Sequence, residues 1–169
     1  MTNSLATISI GNRLVGPDQP CFIVAEIGIN HNGDILTAMR MIEAISEAGA
    51  DCVKFQTFRA DGFCSNPDDT YEYISQGKTV RESMLEMFRR VEIPYDDFSG
   101  LFEHARDQGL IALSTPTDEG AVDALDALNA EAFKIGSDDI VYTPFLEYVA
   151  GKGKPVIISA GMANAADID

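Results

Sequence analysis

Three charged residues interrupt runs that are otherwise apolar, and they are the part of this sequence best placed to do chemistry. Glu26 stands in FIVAEIG (22–28), Lys54 in CVKFQTF (52–58) and Lys134 in AFKIGS (132–137). Side chains alternate across a strand, so Lys54 and Gln56 share one face while Val53 and Phe55 share the other. The same parity sets Glu26 against Ala25 and Ile27, and Lys134 against Phe133 and Ile135. The apolar partners suit a face covered by helices, which leaves Glu26, Lys54, Gln56 and Lys134 on the opposite face. An isolated buried charge costs several kcal/mol, so such positions need partners or a function. One reading is a buried ion pair between Glu26 and either lysine, with no chemistry attached. The other follows from the recurrence of charge near the carboxyl ends of three separate strands. It is a site where two ammonium groups hold an anion and a carboxylate moves protons.

Other polar groups fall at the same level. They are Ser114-Thr115-Pro116, Ser137 after Lys134, and Ser159 before Gly161. Hydroxyls at strand ends that run into helix N-termini can hold phosphate or carboxylate oxygens. The run GINHNGD (28–34) sets His31 in the loop after the first core strand, where it reads as a residue satisfied by its neighbours rather than a catalyst. His31 and His104 are the only histidines, with His104 read as solvated on a helix, and there is no HxH, HExxH or Cys/His cluster to hold a metal. No GxGxxG, GxxxxGK[ST] or GxSxG pattern points to nucleotide binding or a serine nucleophile.

Five short apolar runs must position these groups: 22–28, 52–58, 110–116, 132–137 and 155–161. Near-continuous apolar character is what a parallel sheet covered by helices requires. Helical patterns separate the runs. Asp34 is placed to cap a helix from Ile35 that ends near Gly49. Pro94 opens a second, with Phe98, Leu101, Phe102 and Ala105 on one face. A third runs from Asp118 to Asn129 around Val122, Leu125 and Leu128, and a short fourth from Phe145 to Gly151. The alternation is α/β, either a barrel or a doubly wound sheet. Thr7–Ile10 and Leu14–Val15 flank Gly11-Asn12-Arg13 as a β-hairpin ahead of the first core strand. The stretch 59–95 is a long connection, expected as a loop in its first half and helical from Val80 to Val91. It sits where loops cover functional sites, and a plain surface excursion is the alternative reading.

The totals set limits. The chain has 169 residues, short of the roughly 250 of a complete eight-fold βα barrel. Its formal net charge of −15 argues against nucleic acid or an anionic membrane as partner. An anionic metabolite is still accommodated if the few cations gather in one cleft, and two of only five lysines lie in the strands named above. Three cysteines without CxxC spacing fit a reducing cytosol, and residues 1–10 show no secretory h-region.

The motifs AEIGINHNGD, VKFQT, LSTPTD, FKIGSDD and IISAGM occur in this order along nearly the whole chain. Together they closely resemble the N-acetylneuraminate (sialic acid) synthase family. The resemblance implies a TIM (β/α)8 barrel, here partial at about five βα units behind an N-terminal hairpin. Residues 1–169 would form the N-terminal portion of that barrel, without its second half or the antifreeze-like domain that follows in complete members. It implies condensation of phosphoenolpyruvate with N-acetylmannosamine or a related amino sugar, releasing phosphate. Residue by residue, Glu26 carries over as acid/base, while Lys54 and Gln56 of the KFQ motif hold phosphoenolpyruvate. Thr115, Lys134, Ser137 and Ser159 line the same ligand. The family's divalent metal (Mn or Mg) is held by two histidines from strands beyond the fifth, so this chain contributes no metal ligand. A homodimer is implied for the complete protein, and the 169-residue chain by itself is expected to be inactive. The alternatives are a barrel aldolase or lyase that uses Lys134 or Lys54 as a Schiff-base nucleophile, and a non-catalytic remnant that binds a small anion or another chain.

Overall fold

A computed structural model describes residues 6–75 and 77–168. Its centre is a five-stranded parallel sheet made of β3 (Val24–Gly28), β4 (Cys52–Thr57), β7 (Ile111–Pro116), β8 (Phe133–Ile135) and β9 (Val156–Ile158). The strands lie side by side in chain order. A doubly wound sheet reverses direction at a switch point, whereas a barrel adds each βα unit beyond the last. The order therefore decides between the two architectures left open by the alternation: this is part of an α/β barrel.

The two faces of the sheet have separate cores. On the outer face Ile27, Val53, Phe55, Ala112, Phe133 and Ile135 pack against four helices. These are α1 (Ile35–Glu47), α4 (Phe98–Asp107), α5 (Glu119–Ala127) and α6 (Thr143–Ala150). Asp34 caps α1 by accepting the Thr37 amide, and Asp118 caps α5 by accepting that of Ala121. The second helix begins after a single 3-10 turn, Tyr95–Asp97, rather than at Pro94 itself. Leu128 comes just after α5 and is only partly buried.

On the inner face Cys52, Ile111, Leu113 and Ala132 gather around Ile10. Ile10 belongs to the hairpin of β1 (Ile8–Ile10) and β2 (Arg13–Val15), which turns at Gly11-Asn12 and closes the amino-terminal end of the sheet. The Arg13 guanidinium grips the Asp51 carboxylate, whose other oxygen accepts the Ile23 amide at 2.8 Å. One acidic side chain thus ties the hairpin to the starts of β3 and β4. The inner face is apolar at this end and polar at the other.

The long second connection differs from its sequence reading. It contains α2 (Ala60–Phe63), then an antiparallel pair β5 (Thr70–Ser75) and β6 (Lys78–Ser83), then α3 (Met84–Val91). Residues 80–83 are strand, not the first turn of a helix, and the expected loop holds a hairpin. Tyr71 and Tyr73 alternate along β5, and Gly77 turns with φ +75°. The Tyr73 hydroxyl donates to Glu82 at 2.7 Å and Arg81 donates to Thr70, cross-strand bonds that outweigh the helix propensity of Arg81 and Glu82. Ser83 then caps α3 by accepting the Glu86 amide.

Candidate functional site

The polar end of the inner face brings the charged residues together. Register pairs Glu26 with Lys54, and Gln56 with Thr115, across neighbouring strands. Lys54 is buried at 7% exposure, and its Nζ lies 3.1 Å from Glu26 Oε1. Lys134 Nζ donates to the Ile135 carbonyl and to the Ser159 hydroxyl. Burial pulls the Lys134 ammonium below the ordinary lysine range and the Lys54 charge adds to that, while Glu26 and Asp138 oppose it. The three charges therefore share one electrostatic neighbourhood. Ser137 Oγ lies beside Gly161, with 3.8 Å to where a Cβ would sit, so the ends of β8 and β9 meet there.

Glu26 departs from one expectation. Its side chain is 67% exposed rather than buried, because it stands at the mouth on β3, the outermost strand of the described sheet. The carboxylate is thus a solvent-facing group beside a buried ammonium. Exposure on that scale makes the pair weak as a stabilising contact and leaves the carboxylate able to exchange protons. Ser114 also separates from its neighbours. It is fully buried on the outer face and bonded to Thr57 Oγ1 at 2.7 Å, so only Thr115 of that triplet reaches the site.

The loop after β3 is a built structure. A register shift between Glu26 and Gly28 puts Gly28 at φ +54°, where an added Cβ would stand 3.2 Å from Gln56 Oε1. Successive turns follow, with the Asn30, Asn32 and Asp34 amides donating to the carbonyls of Ile27, Ile29 and His31. His31 is buried at 1% exposure, and its Nδ1 accepts the Gly33 amide at 3.0 Å. Burial lowers its pKa, opposed by a bond to the Gly28 backbone, so the ring sits neutral as a loop brace, as its neighbours in sequence suggested. His104 is less solvated than expected. Its side chain is 23% exposed, with Nε2 3.3 Å from Glu43.

Two features carried no assignment in the sequence reading. Asp138 and Asp139 follow Ser137, and burial raises Asp139 above the carboxylate range with Asp138 adding to the shift. A cavity of about 470 Å³ between them and the α2–α3 segment includes Thr117, Phe63 and Met84. The FKIGSDD run held the signal for the acidic pair. The cavity depends on how the long connection folds back, which no local pattern encodes. Among the described residues no three His, Cys, Asp or Glu side chains gather as metal ligands. No helix among them is long and apolar enough to cross a membrane.

Comparison with known proteins places this arrangement. The spore coat polysaccharide biosynthesis protein SpsE of Bacillus subtilis is 40% identical over 164 residues, 97% of this chain. The N,N'-diacetyllegionaminic acid synthase of Legionella pneumophila is 37% identical over 153 residues, 90% of the chain. The chain spans 43% of the length of each of these relatives. The crystal structure of an N-acetylneuraminic acid synthetase from Leptospira borgpetersenii superposes with a TM-score of 0.84 at 30% identity, over 98% of this chain and 54% of that one. A model of the NeuB family matches residues 41–169, and on that match the chain belongs to the NeuB family.

Proposed function

We propose that this chain forms the phosphoenolpyruvate-binding part of a synthase that condenses that enol phosphate with an N-acylated amino sugar, giving a nonulosonic acid and phosphate. The observation that carries the reading is the meeting of Lys54, Lys134 and Glu26 at one polar sheet end, in a molecule whose net charge is −15. Two ammonium groups suit a ligand with a carboxylate and a phosphate, and Gln56, Thr115, Ser137 and Ser159 supply hydrogen bonds to its oxygens. In the reaction, C3 of the enol phosphate forms a bond to the sugar aldehyde carbon, and the aldehyde oxygen takes a proton. Water adds at C2, loses a proton, and the C2–O bond to phosphate then breaks. Glu26 at the mouth can exchange a proton with solvent at either of those oxygens. Lys54 and Lys134 act by charge, neutralising the ligand as it binds and the phosphate as it leaves. The family's divalent metal would polarise the aldehyde as a Lewis acid, but the residues described hold no complete set of ligands for it, and no step is assigned to it.

The test is phosphate release from phosphoenolpyruvate, dependent on an amino sugar, by the full-length protein. Glu26→Gln should cut kcat of that protein at least about 100-fold. Full turnover in the variant would remove Glu26 from the chemistry. Lys134 also favours a second reading, because a lysine held below its ordinary range is a better amine nucleophile. Borohydride trapping of a pyruvate adduct on Lys134 would select that one.

A further inference from the structure

Beyond the sheet, the exits of β4 and β7 are joined by a chain of side chains. Gln56 and Thr115 are register partners on these strands, and past them the Thr117 amide donates to the Thr57 carbonyl at 3.2 Å. Arg59 follows Gln56 by three positions, and Asp118 follows Thr115 by three. Tyr95, in the 3-10 turn ahead of α4, stands between them. The Arg59 guanidinium lies over its ring, with Cζ 4.5 Å from the centroid, and its hydroxyl donates to Asp118, with Oδ2 at 3.0 Å. Each end is fixed in turn. Arg59 donates to Glu92 Oε1 at 2.8 Å, and Glu92 Oε2 accepts the Ala60 amide at 2.7 Å. Asp118 Oδ1 accepts the Ala121 amide at 2.7 Å. Gly120 leaves the clasp its room, since a Cβ there would stand 3.2 Å from Asp118 Oδ1 and 3.7 Å from the Tyr95 ring. The ring also borders a space of about 310 Å³ lined by Ser99, Ala124 and Leu128, so packing on that side does not hold it. Burial and the Asp118 carboxylate raise the Tyr95 phenol above the ordinary tyrosine range, so it remains a donor.

We propose that Tyr95 is a positioning residue for the phosphoenolpyruvate site. Clasped between Arg59 and Asp118, it sets the spacing of the two strand exits. With that it sets the spacing at which Gln56 and Thr115 present their polar groups to the ligand's oxygens. The inference deepens the synthase reading and rests on it. A hydrogen bond weakens steeply as distance and angle leave their optimum, so two groups serving one ligand must be held relative to each other. The Thr117–Thr57 bond is neutral and, at 3.2 Å, at the long end of the range. The clasp is stronger, because it sets a cation over an aromatic face and adds a charge-assisted bond to a carboxylate. Arg59 is half-exposed, so the part-buried Tyr95–Asp118 bond carries more of the effect than the Arg59 contacts do.

The test is steady-state phosphate release by the full-length protein, with phosphoenolpyruvate varied at saturating amino sugar and then the reverse. Tyr95→Phe keeps the ring under Arg59 and removes only the bond to Asp118. It should raise KM for phosphoenolpyruvate by about 5- to 10-fold, with kcat within about 2-fold and KM for the sugar unmoved. Asp118→Asn keeps an acceptor for both the Tyr95 hydroxyl and the Ala121 amide, and its KM should stay within about 2-fold of wild type. Asp118→Ala should raise KM for phosphoenolpyruvate at least as far as Tyr95→Phe. An unchanged KM for phosphoenolpyruvate in Tyr95→Phe overturns the positioning role. So does a fall in kcat at constant KM, which marks a smaller folded fraction, or an equal rise in both KM values. If Asp118→Asn matches Tyr95→Phe, the effect belongs to charge rather than to the clasp, and the role falls as well. Each of these results leaves the synthase reading standing. No phosphate release by the wild type sinks that reading, and the role of Tyr95 with it.

Discussion

His31 shows how a single residue can hold a site in place without touching a substrate. Its ring is buried at 1% exposure and spends Nδ1 on the Gly33 amide, so only the neutral form fits. Burial lowers its pKa below the 6.5 of a free imidazole. Above pH 6.5 both folded and unfolded chains carry the neutral ring, and the brace contributes in full. As pH falls through 6.5 the unfolded chain takes up a proton that the folded one resists, so stability is lost until the lowered folded pKa is passed. Urea midpoints at pH 7.5 and 5.0 should therefore drop further in the wild type than in His31→Asn. The variant keeps an acceptor for the Gly33 amide but has nothing to titrate, and it starts from a lower midpoint because the ring volume is gone. Equal pH slopes in the two proteins would mean that His31 is not held neutral. At this scale the sequence was most readable. Parity along the strands placed Glu26, Lys54, Gln56 and Lys134 on one face, because alternation is a local property of an extended backbone. The exposure of Glu26 was not readable, since it depends on where β3 sits in the sheet.

Among elements, the loop from Gly28 to Asp34 and helix α3 are fitted by one close approach. Gly33 adopts φ +77°, and a Cβ there would stand 2.5 Å from the Arg90 carbonyl oxygen in the last turn of α3. Gly49 ends α1 with nearly the same φ, +78°, but has open space around it. The two glycines separate backbone strain from collision. Gly49→Ala should cost about 1 kcal/mol, the strain alone, and Gly33→Ala about 2–3 kcal/mol, because the obstacle is backbone and cannot swing away. Chemical denaturation of both variants checks the difference, and equal losses would show that α3 yields freely. The reading of 80–83 as helix failed at this same scale. Arg81 and Glu82 favour helix when read locally, yet the Tyr73–Glu82 and Thr70–Arg81 contacts pair them with residues about ten positions earlier.

For the molecule as a whole, the hairpin floor is a condition of the site above it. Ile10 is 1% exposed among Cys52, Ile111, Leu113 and Ala132, and the polar layer of Lys54 and Thr115 stands on top of that plug. Ile10→Ala should remove about 2–4 kcal/mol, the usual range for emptying a buried isoleucine site. The same change opens a route to Cys52, whose thiol is fully buried and pushed up to about 12 by burial and the nearby Glu131 carboxylate. In the wild type a thiol reagent at neutral pH should modify exposed Cys21 quickly and Cys52 only on unfolding. In Ile10→Ala, Cys52 should react under native conditions. Continued protection would show that the floor does not depend on Ile10.

By itself the sequence determined the βα alternation, the helix cap at Asp34, the hairpin around Gly11-Asn12-Arg13, and the set of polar residues sharing the inner face. All of these follow from spacing and from residues a few positions apart. Only the tertiary structure decided the barrel order of the five strands, the solvent-facing position of Glu26, and the burial of Lys54 against it. The same holds for the turning of Ser114 onto Thr57 and for the cavity between Asp138, Asp139 and the α2–α3 segment. Each of these depends on contacts between segments far apart in the chain, whose energies are settled by packing and solvent exclusion rather than by local backbone preference.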